Sequence, residues 1–223
     1  MNDRIDKAIE ELREGNYVLV HDNSGRENEV DMLVAAEKIT PAHVATMRGD
    51  GGGLICVALG RELADRLGIP YMVDILGEAK KKYPLLNHTI PDDIPYDEKS
   101  SFSLTVNHRN TFTGITDRDR AHTIKKLADF FKGDVSEKRF GLEFRSPGHV
   151  HLLISSGLEF REGHTELTTA LVEMSGLIPV ACICEMMDSK THKALTAGKA
   201  QEYAKKNNMV FLEAGEIKET RMV

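Results

Sequence analysis

Three short segments of this 223-residue chain carry side chains suited to joint acid, base and ligand chemistry. The run Asp22-Asn23-Ser24-Gly25-Arg26-Glu27-Asn28-Glu29-Val30-Asp31 crowds an arginine and several carboxylates together directly after the apolar stretch Tyr17 to Val20. Such a loop can hold a cation and a polar substrate at once, although taken alone it reads equally as a solvated turn between strands. A second cluster, Arg161-Glu162-Gly163-His164-Thr165-Glu166, lies far along the chain, and Ser146-Pro147-Gly148-His149-Val150-His151 opens another apolar run. Together the three supply the acids, bases, cation and ligands that a metal-assisted reaction on a phosphorylated sugar needs.

Glu27 and His164 are the pair best suited to a divalent ion. A hard cation such as Mg²⁺ prefers oxygen and keeps positions for water or substrate, so few protein ligands suffice. Arg161 and Thr165 flank the histidine at a helix start, where the backbone amides of Glu162 and Gly163 can face an anion and the arginine fork matches a phosphate. His149 and His151 are two apart and share one face of a strand, which leaves open a rival centre built from His149, His151 and His164. Glu185 ends the apolar run Val180-Ala181-Cys182-Ile183-Cys184, a strand-end position that suits a carboxylate to proton transfer. Two further anion sites are conceivable: the glycines Gly51-Gly52-Gly53, which lack the following Lys-Ser or Lys-Thr of a nucleotide loop, and the turn Thr111 to Arg120, which opens a helix.

Apolar periodicity marks the helices and strands that carry these groups. Ile5, Ala8, Ile9 and Leu12 recur at helical spacing, Gly15 stops that helix, and Tyr17 to Val20 and Val30 to Ala36 predict strands. Thr40 before Pro41 is a helix start, Leu54 to Leu59 a third strand, and Phe102, Leu104 and Val106 alternate as a fourth. A helix carries Ile124, Leu127, Ala128 and Phe131; later come strand Val150 to Ser155, helix Thr165 to Ser175, strand Val180 to Glu185 and a helix near Thr196 to Lys206. Residues 84 to 100, with Pro84, Pro91 and Pro95, predict an irregular surface excursion rather than a linker. The pattern indicates an α+β fold with mixed β-sheets flanked by helices, in a single domain over residues 1–223.

Composition narrows the function. With 41% hydrophobic residues the chain can bury a core, yet no apolar stretch approaches the ~18 to 20 residues that cross a bilayer. The start, Met1 to Asp6, carries no apolar export signal, so the cytoplasm is the expected compartment and no membrane partner is expected. A net charge of −6 argues against a nucleic-acid partner, and Lys80-Lys81-Lys82 reads as a solvated face. Cys56, Cys182 and Cys184 lie in apolar runs without a Cys-x-x-Cys pair, which suggests buried reduced thiols.

Several of these motifs, in this order, closely resemble the 3,4-dihydroxy-2-butanone 4-phosphate synthase family over about residues 4 to 212. The carriers are Arg26-Glu27-Asn28-Glu29 with Asp31, Gly53-Leu54-Ile55-Cys56, Thr113-Gly114-Ile115 with Asp117-Arg118, Pro147-Gly148-His149, Gly163-His164-Thr165-Glu166 and Cys184-Glu185-Met186. The resemblance implies a Mg²⁺- or Mn²⁺-dependent lyase, with two ions per site, that converts D-ribulose 5-phosphate to L-3,4-dihydroxy-2-butanone 4-phosphate and formate in riboflavin biosynthesis. By the same analogy Glu27 and His164 hold the metals, Arg26 and Asp31 contact the sugar, Arg161, Glu162, Gly163, His164 and Thr165 hold the phosphate end, and His149 and Glu185 are essential to catalysis, Glu185 also touching substrate. It further implies a homodimer whose Thr113 to Arg118 turn serves the partner's site. Two departures stand out: Val30 replaces the glycine common before the aspartate of the acidic loop, and His21-Asp22-Asn23-Ser24-Gly25 is less acidic than usual. Because many relatives carry a cyclohydrolase domain after this one, a chain ending at Val223 is expected to act alone. The alternatives are a metal-dependent pentose-phosphate epimerase or isomerase and a small-molecule-binding regulator without turnover.

Overall fold

The computed structural model describes residues 3–89, 91 and 93–221; Met1 and Asn2, Ile90 and Asp92 of the expected excursion, and Met222 and Val223 lie outside the described residues. In chain order the elements are α1 (Asp3–Glu14), β1 (Val18–His21), β2 (Val30–Ala35), α2 (Pro41–Thr46), β3 (Cys56–Leu59), α3 (Arg61–Leu67), α4 (Met72–Ala79), β4 (Phe102–His108), α5 (Asp117–Lys132), α6 (Glu137–Glu143), β5 (Phe144–Ile154), α7 (His164–Met174), β6 (Val180–Glu185), β7 (Met187–Asp188), β8 (Lys193–Ala194), α8 (Ala197–Lys206), β9 (Val210–Glu213) and α9 (Ala214–Arg221).

Seven strands form one sheet in the order β4-β5-β3-β6-β2-β1-β9. Its pairings are mixed: β1 with β9 and β3 with β5 run parallel, and the other neighbours antiparallel. Successive side chains of a strand point to opposite faces, so each strand feeds two cores. Leu19, Met32, Val34, Val57, Leu152, Cys182 and Cys184 pack on one face with Ile124, Leu127 and Phe131 of α5 and Ala200 of α8. Val18, Leu33, Cys56, Ala58, Leu153 and Ile183 pack on the other with Ile5, Ala8 and Leu12 of α1, Leu167 and Leu171 of α7, and Ile217 of α9. A sheet covered on both faces explains the nearly unbroken apolar runs of β1, β2, β3 and β6.

Local signals fix the helix ends. α1 stops at Gly15, whose φ of 87° is the left-handed conformation that glycine adopts without a Cβ penalty. Thr40 caps α2 by accepting a hydrogen bond from the His43 N–H, with Pro41 at the first helical position. β5 differs from expectation. A turn is predicted at Pro147-Gly148, yet the strand runs through it from Phe144, with register irregularities against β4. A Cβ on Gly148 would collide with the backbone of Val106 and Asn107, so this glycine serves close approach of two strands.

Candidate functional site

Asp31 lies two residues before Leu33 in β2 and Glu185 two after Ile183 in β6, so strand alternation puts both carboxylates on the face covered by α7. The two residues are direct partners across the sheet. Since Leu167 and Leu171 anchor α7 in the core of that same face, the first residue of the helix, His164, is delivered to the sheet end where Asp31 and Glu185 stand. It is 5% exposed, with Nδ1 3.3 Å from Glu27 Oε2 and Nε2 3.8 Å from Asp31 Oδ1.

The acidic loop is folded around Asp22, whose buried carboxylate accepts hydrogen bonds from the Glu27 N–H (3.1 Å) and the Glu29 N–H (3.0 Å). At its base the His21 ring lies between Glu213 Oε2 (2.6 Å) and Oδ1 of Asn28 (3.1 Å), a residue with φ of 56°. Potential ligand atoms of Asp22, Glu27 and His164 thereby fall within 4.8 Å of one another. Asp31 Oδ1 and His164 Nε2 are buried without a hydrogen-bond partner. Buried polar atoms are nearly always satisfied, and an imidazole among carboxylates suits Mg²⁺ or Mn²⁺. On that ground the residues fit a divalent ion.

The electrostatics agree. Burial alone would depress His164, but Asp31, Glu27 and Asp22 outweigh it and raise its pKa to about 9. Burial, reinforced by Glu185, Glu27 and Glu29, raises Asp31 to about 8 despite the opposing pull of His164. Glu29 is also raised by burial, whereas the hydrogen bond with His164 lowers Glu27. A cluster that clings to protons in this way is short of positive charge, which a cation would supply.

Beside the carboxylates lies the cationic end. Arg26 Nη2 and Arg161 Nε both donate to Asp97 Oδ2, at 2.9 and 2.8 Å, and Arg161 Nη1 donates to Glu166 Oε2 at 2.5 Å. Gly163 precedes α7 without any side-chain cap, and a Cβ there would strike the Arg161 guanidinium. Thr165 is buried next to His164, while the Glu162 side chain turns away to pair with Lys218. Glu185 Oε2 accepts from the Leu54 N–H at 2.7 Å, and a Cβ on Gly53 would collide with that carboxylate. The glycine run therefore accommodates Glu185 rather than a phosphate.

Glu27, Asp31, Cys56, Arg161, His164, Thr165 and Glu185 line one pocket of about 130 Å³, with Tyr96 and Asp97. His149 is not among its lining residues. Its ring and backbone are held by Asn107, whose side chain also donates to Thr113 O and so links His149 to the 113–118 turn. The three-histidine centre is not assembled: among the described residues, the group of three potential ligands is Asp22, Glu27 and His164. Two participants escaped the sequence reading. Asp22 had a usable signal, an acid directly after a buried strand. Asp97 had none, since it belongs to an aperiodic stretch.

Comparison with known proteins gives a consistent result. The family model for 3,4-dihydroxy-2-butanone 4-phosphate synthase matches residues 6–220. A 3,4-dihydroxy-2-butanone 4-phosphate synthase of Methanothermobacter thermautotrophicus is 52% identical over 98% of this chain and 96% of its own length, and one of Archaeoglobus fulgidus is 47% identical over 96% and 92%. A crystal structure of a 3,4-dihydroxy-2-butanone 4-phosphate synthase in complex with two magnesium ions superposes with a TM-score of 0.78 at 28% identity, over 96% of this chain and 94% of that one.

Proposed function

The chain belongs to the 3,4-dihydroxy-2-butanone 4-phosphate synthase family, and from that premise we propose that it converts D-ribulose 5-phosphate to L-3,4-dihydroxy-2-butanone 4-phosphate and formate for riboflavin biosynthesis, in a site built by its acidic loop, the start of α7 and the ends of β2 and β6. The observation that carries this reading is the convergence of Asp22, Glu27 and His164 beside Asp31 and Glu185. Family membership favours this lyase over the epimerase or isomerase alternative.

In this reading Glu27 and His164 hold Mg²⁺ or Mn²⁺, two ions per site, with Asp22 as a further carboxylate at the same point. A divalent ion supplies Lewis-acid stabilisation of charge that develops on the sugar oxygens. The chain's own groups do the rest. Arg161 and the α7 start hold the phosphate, with Thr165 and the backbone of Glu162 and Gly163 beside it, and Arg26 and Asp31 contact the sugar. Proton removal next to the carbonyl, loss of water, a skeletal shift and release of one carbon as formate need repeated proton transfers. Asp31, whose pKa burial raises in the metal-free site, can take up and return a proton; Glu185 is positioned by the Leu54 N–H to exchange one at its carboxylate.

Residues 1–223 form a single domain in this reading, working in the cytoplasm as a homodimer. Supporting the dimer, β4 is an edge strand with Phe102 exposed and the neighbouring turn presenting Phe112 and Ile115 to solvent; open apolar edges favour pairing. Asn107 links His149 to that turn, which suits a role for both at the partner's site. The test is incubation of the pure protein with ribulose 5-phosphate and Mg²⁺, with and without chelator. Metal-dependent formate release is expected, and its absence overturns the reading.

A further inference from the structure

Asp97 stands where the phosphate of a substrate is expected. One oxygen, Oδ2, takes Arg26 Nη2 at 2.9 Å, Arg161 Nε at 2.8 Å and Arg161 Nη2 at 2.6 Å. All three side chains are about seven-eighths buried, and Arg26 also lies 5.8 Å over the Tyr96 ring. A carboxylate gripped by two guanidinium forks satisfies the same donors that a phosphate would. Residues of the segment 94–101 line the 130 Å³ pocket and also a second cavity of about 720 Å³; Arg161 borders both spaces and Arg26 the larger one. The inner pocket is smaller than the ~300 Å³ at which small-molecule sites begin, so this segment divides a space that a sugar phosphate needs whole.

From this geometry we infer that Asp97 is an internal competitor for the phosphate group of the substrate: the segment 93–100 docks it on Arg26 and Arg161 when the site is empty and yields them to a phosphate dianion. The inference rests on the reading of Arg161 as the phosphate ligand. Arg161 keeps Glu166 as a counter-ion in either state, and between turnovers Asp97 supplies the acceptor that Arg26 and the other Arg161 N–H groups share. A phosphate offers more acceptor oxygens and a second charge, so it displaces the carboxylate where a neutral sugar end cannot. The segment thus makes phosphate a condition of entry. Because Arg26 adjoins Glu27 in the acidic loop, the exchange of partners at the cationic end reaches the metal ligands directly.

An occluding group lowers apparent affinity by the fraction of time the site is free. Removing the charge of Asp97 while keeping its shape therefore tightens anion binding. Calorimetric titration with inorganic phosphate is expected to show at least a tenfold lower Kd for Asp97→Asn than for the unmodified protein, with Asp97→Glu within about twofold of the latter. Hydrogen exchange in residues 93–100 is expected to speed up when phosphate is added to the unmodified protein. In steady-state assays Asp97→Asn lowers KM for the sugar phosphate without raising kcat. A role confined to bracing the arginines predicts the reverse, a weaker Kd and a higher KM in Asp97→Asn. An unchanged or weaker phosphate Kd in that variant, unchanged exchange in the segment, or no phosphate binding by any of the three proteins overturns the inference. Formate release is read separately, so loss of the reaction assignment is distinguishable from loss of this one.

Discussion

Two helices of this protein begin with what looks in sequence like an anion site, and they end up in opposite conditions. The start of α5 is closed on itself: Thr116 accepts from the Asp119 N–H, Asp119 Oδ2 accepts from the Gly114 N–H, and Arg48 and Arg120 both pair with Asp117. The start of α7 has no side-chain cap, and its first residue keeps a buried nitrogen without a partner among three carboxylates. One helix start completes its own hydrogen bonds; the other leaves a buried imidazole nitrogen unmatched. Hydroxyls, arginines and acids near a helix start mark structure when they satisfy one another, and chemistry when a buried member stays unmatched.

The contrast can be broken most forcefully at α7. His164→Ala and Glu27→Ala are each expected to abolish formate release and to weaken Mg²⁺ or Mn²⁺ binding by more than the ~10–100-fold that outer partners of a metal ligand usually cost; calorimetry with Mn²⁺ checks it, and normal metal affinity in either variant would contradict the ligand assignment. Glu185→Gln should lower kcat by roughly 10²- to 10⁴-fold, the usual range for a lost general acid or base, while metal affinity stays within a few-fold. Equal loss of metal and activity would instead make Glu185 a ligand.

A pH series sharpens the same point. His164 is raised to about 9 in the folded protein, so below that pH a proton occupies the nitrogen that a metal needs. Metal affinity should therefore climb with pH, by up to roughly tenfold per unit for one displaced proton, and level off above about 9. The metal-free protein should behave oppositely. A raised histidine contributes stability that is complete below its unfolded value near 6.5 and is lost as pH rises to about 9. Melting temperature should accordingly fall across that window and do so less in His164→Gln. The smallest effect belongs to α5: Thr116→Ala should cost about 1 kcal/mol, a lost cap, read by urea unfolding, with Mn²⁺ affinity unaltered.

Periodicity revealed most of what positions the site. α1, β1, β2, α2, β3, α5, α7, β6 and α8 each carry a face of apolar residues that the cores absorb, as Ile5, Ala8 and Leu12 or Leu167 and Leu171 illustrate. The elements that escaped are short: α3, α4, α6, α9 and β7 to β9 offer too few turns or alternations to show a period, and α4 and α6 contain no buried residue. The pair Glu27 and His164 was legible because residue types so suited to a cation sat at a loop and a helix start, and the fold brings them within contact of each other. Asp97 was not legible. Its role depends on an irregular segment folding back over two arginines that are distant in sequence, and no local pattern encodes that return. The turn expected at Pro147-Gly148 failed for a related reason, since close approach of β4, a tertiary fact, determines what the glycine is for.

The most direct test of the central claim is an anomalous-difference map from crystals soaked in Mn²⁺. A peak is expected against the Glu27 carboxylate and the His164 imidazole, beside Asp22 and in front of Asp31. Full occupancy elsewhere in the molecule, with this cluster empty, would contradict it.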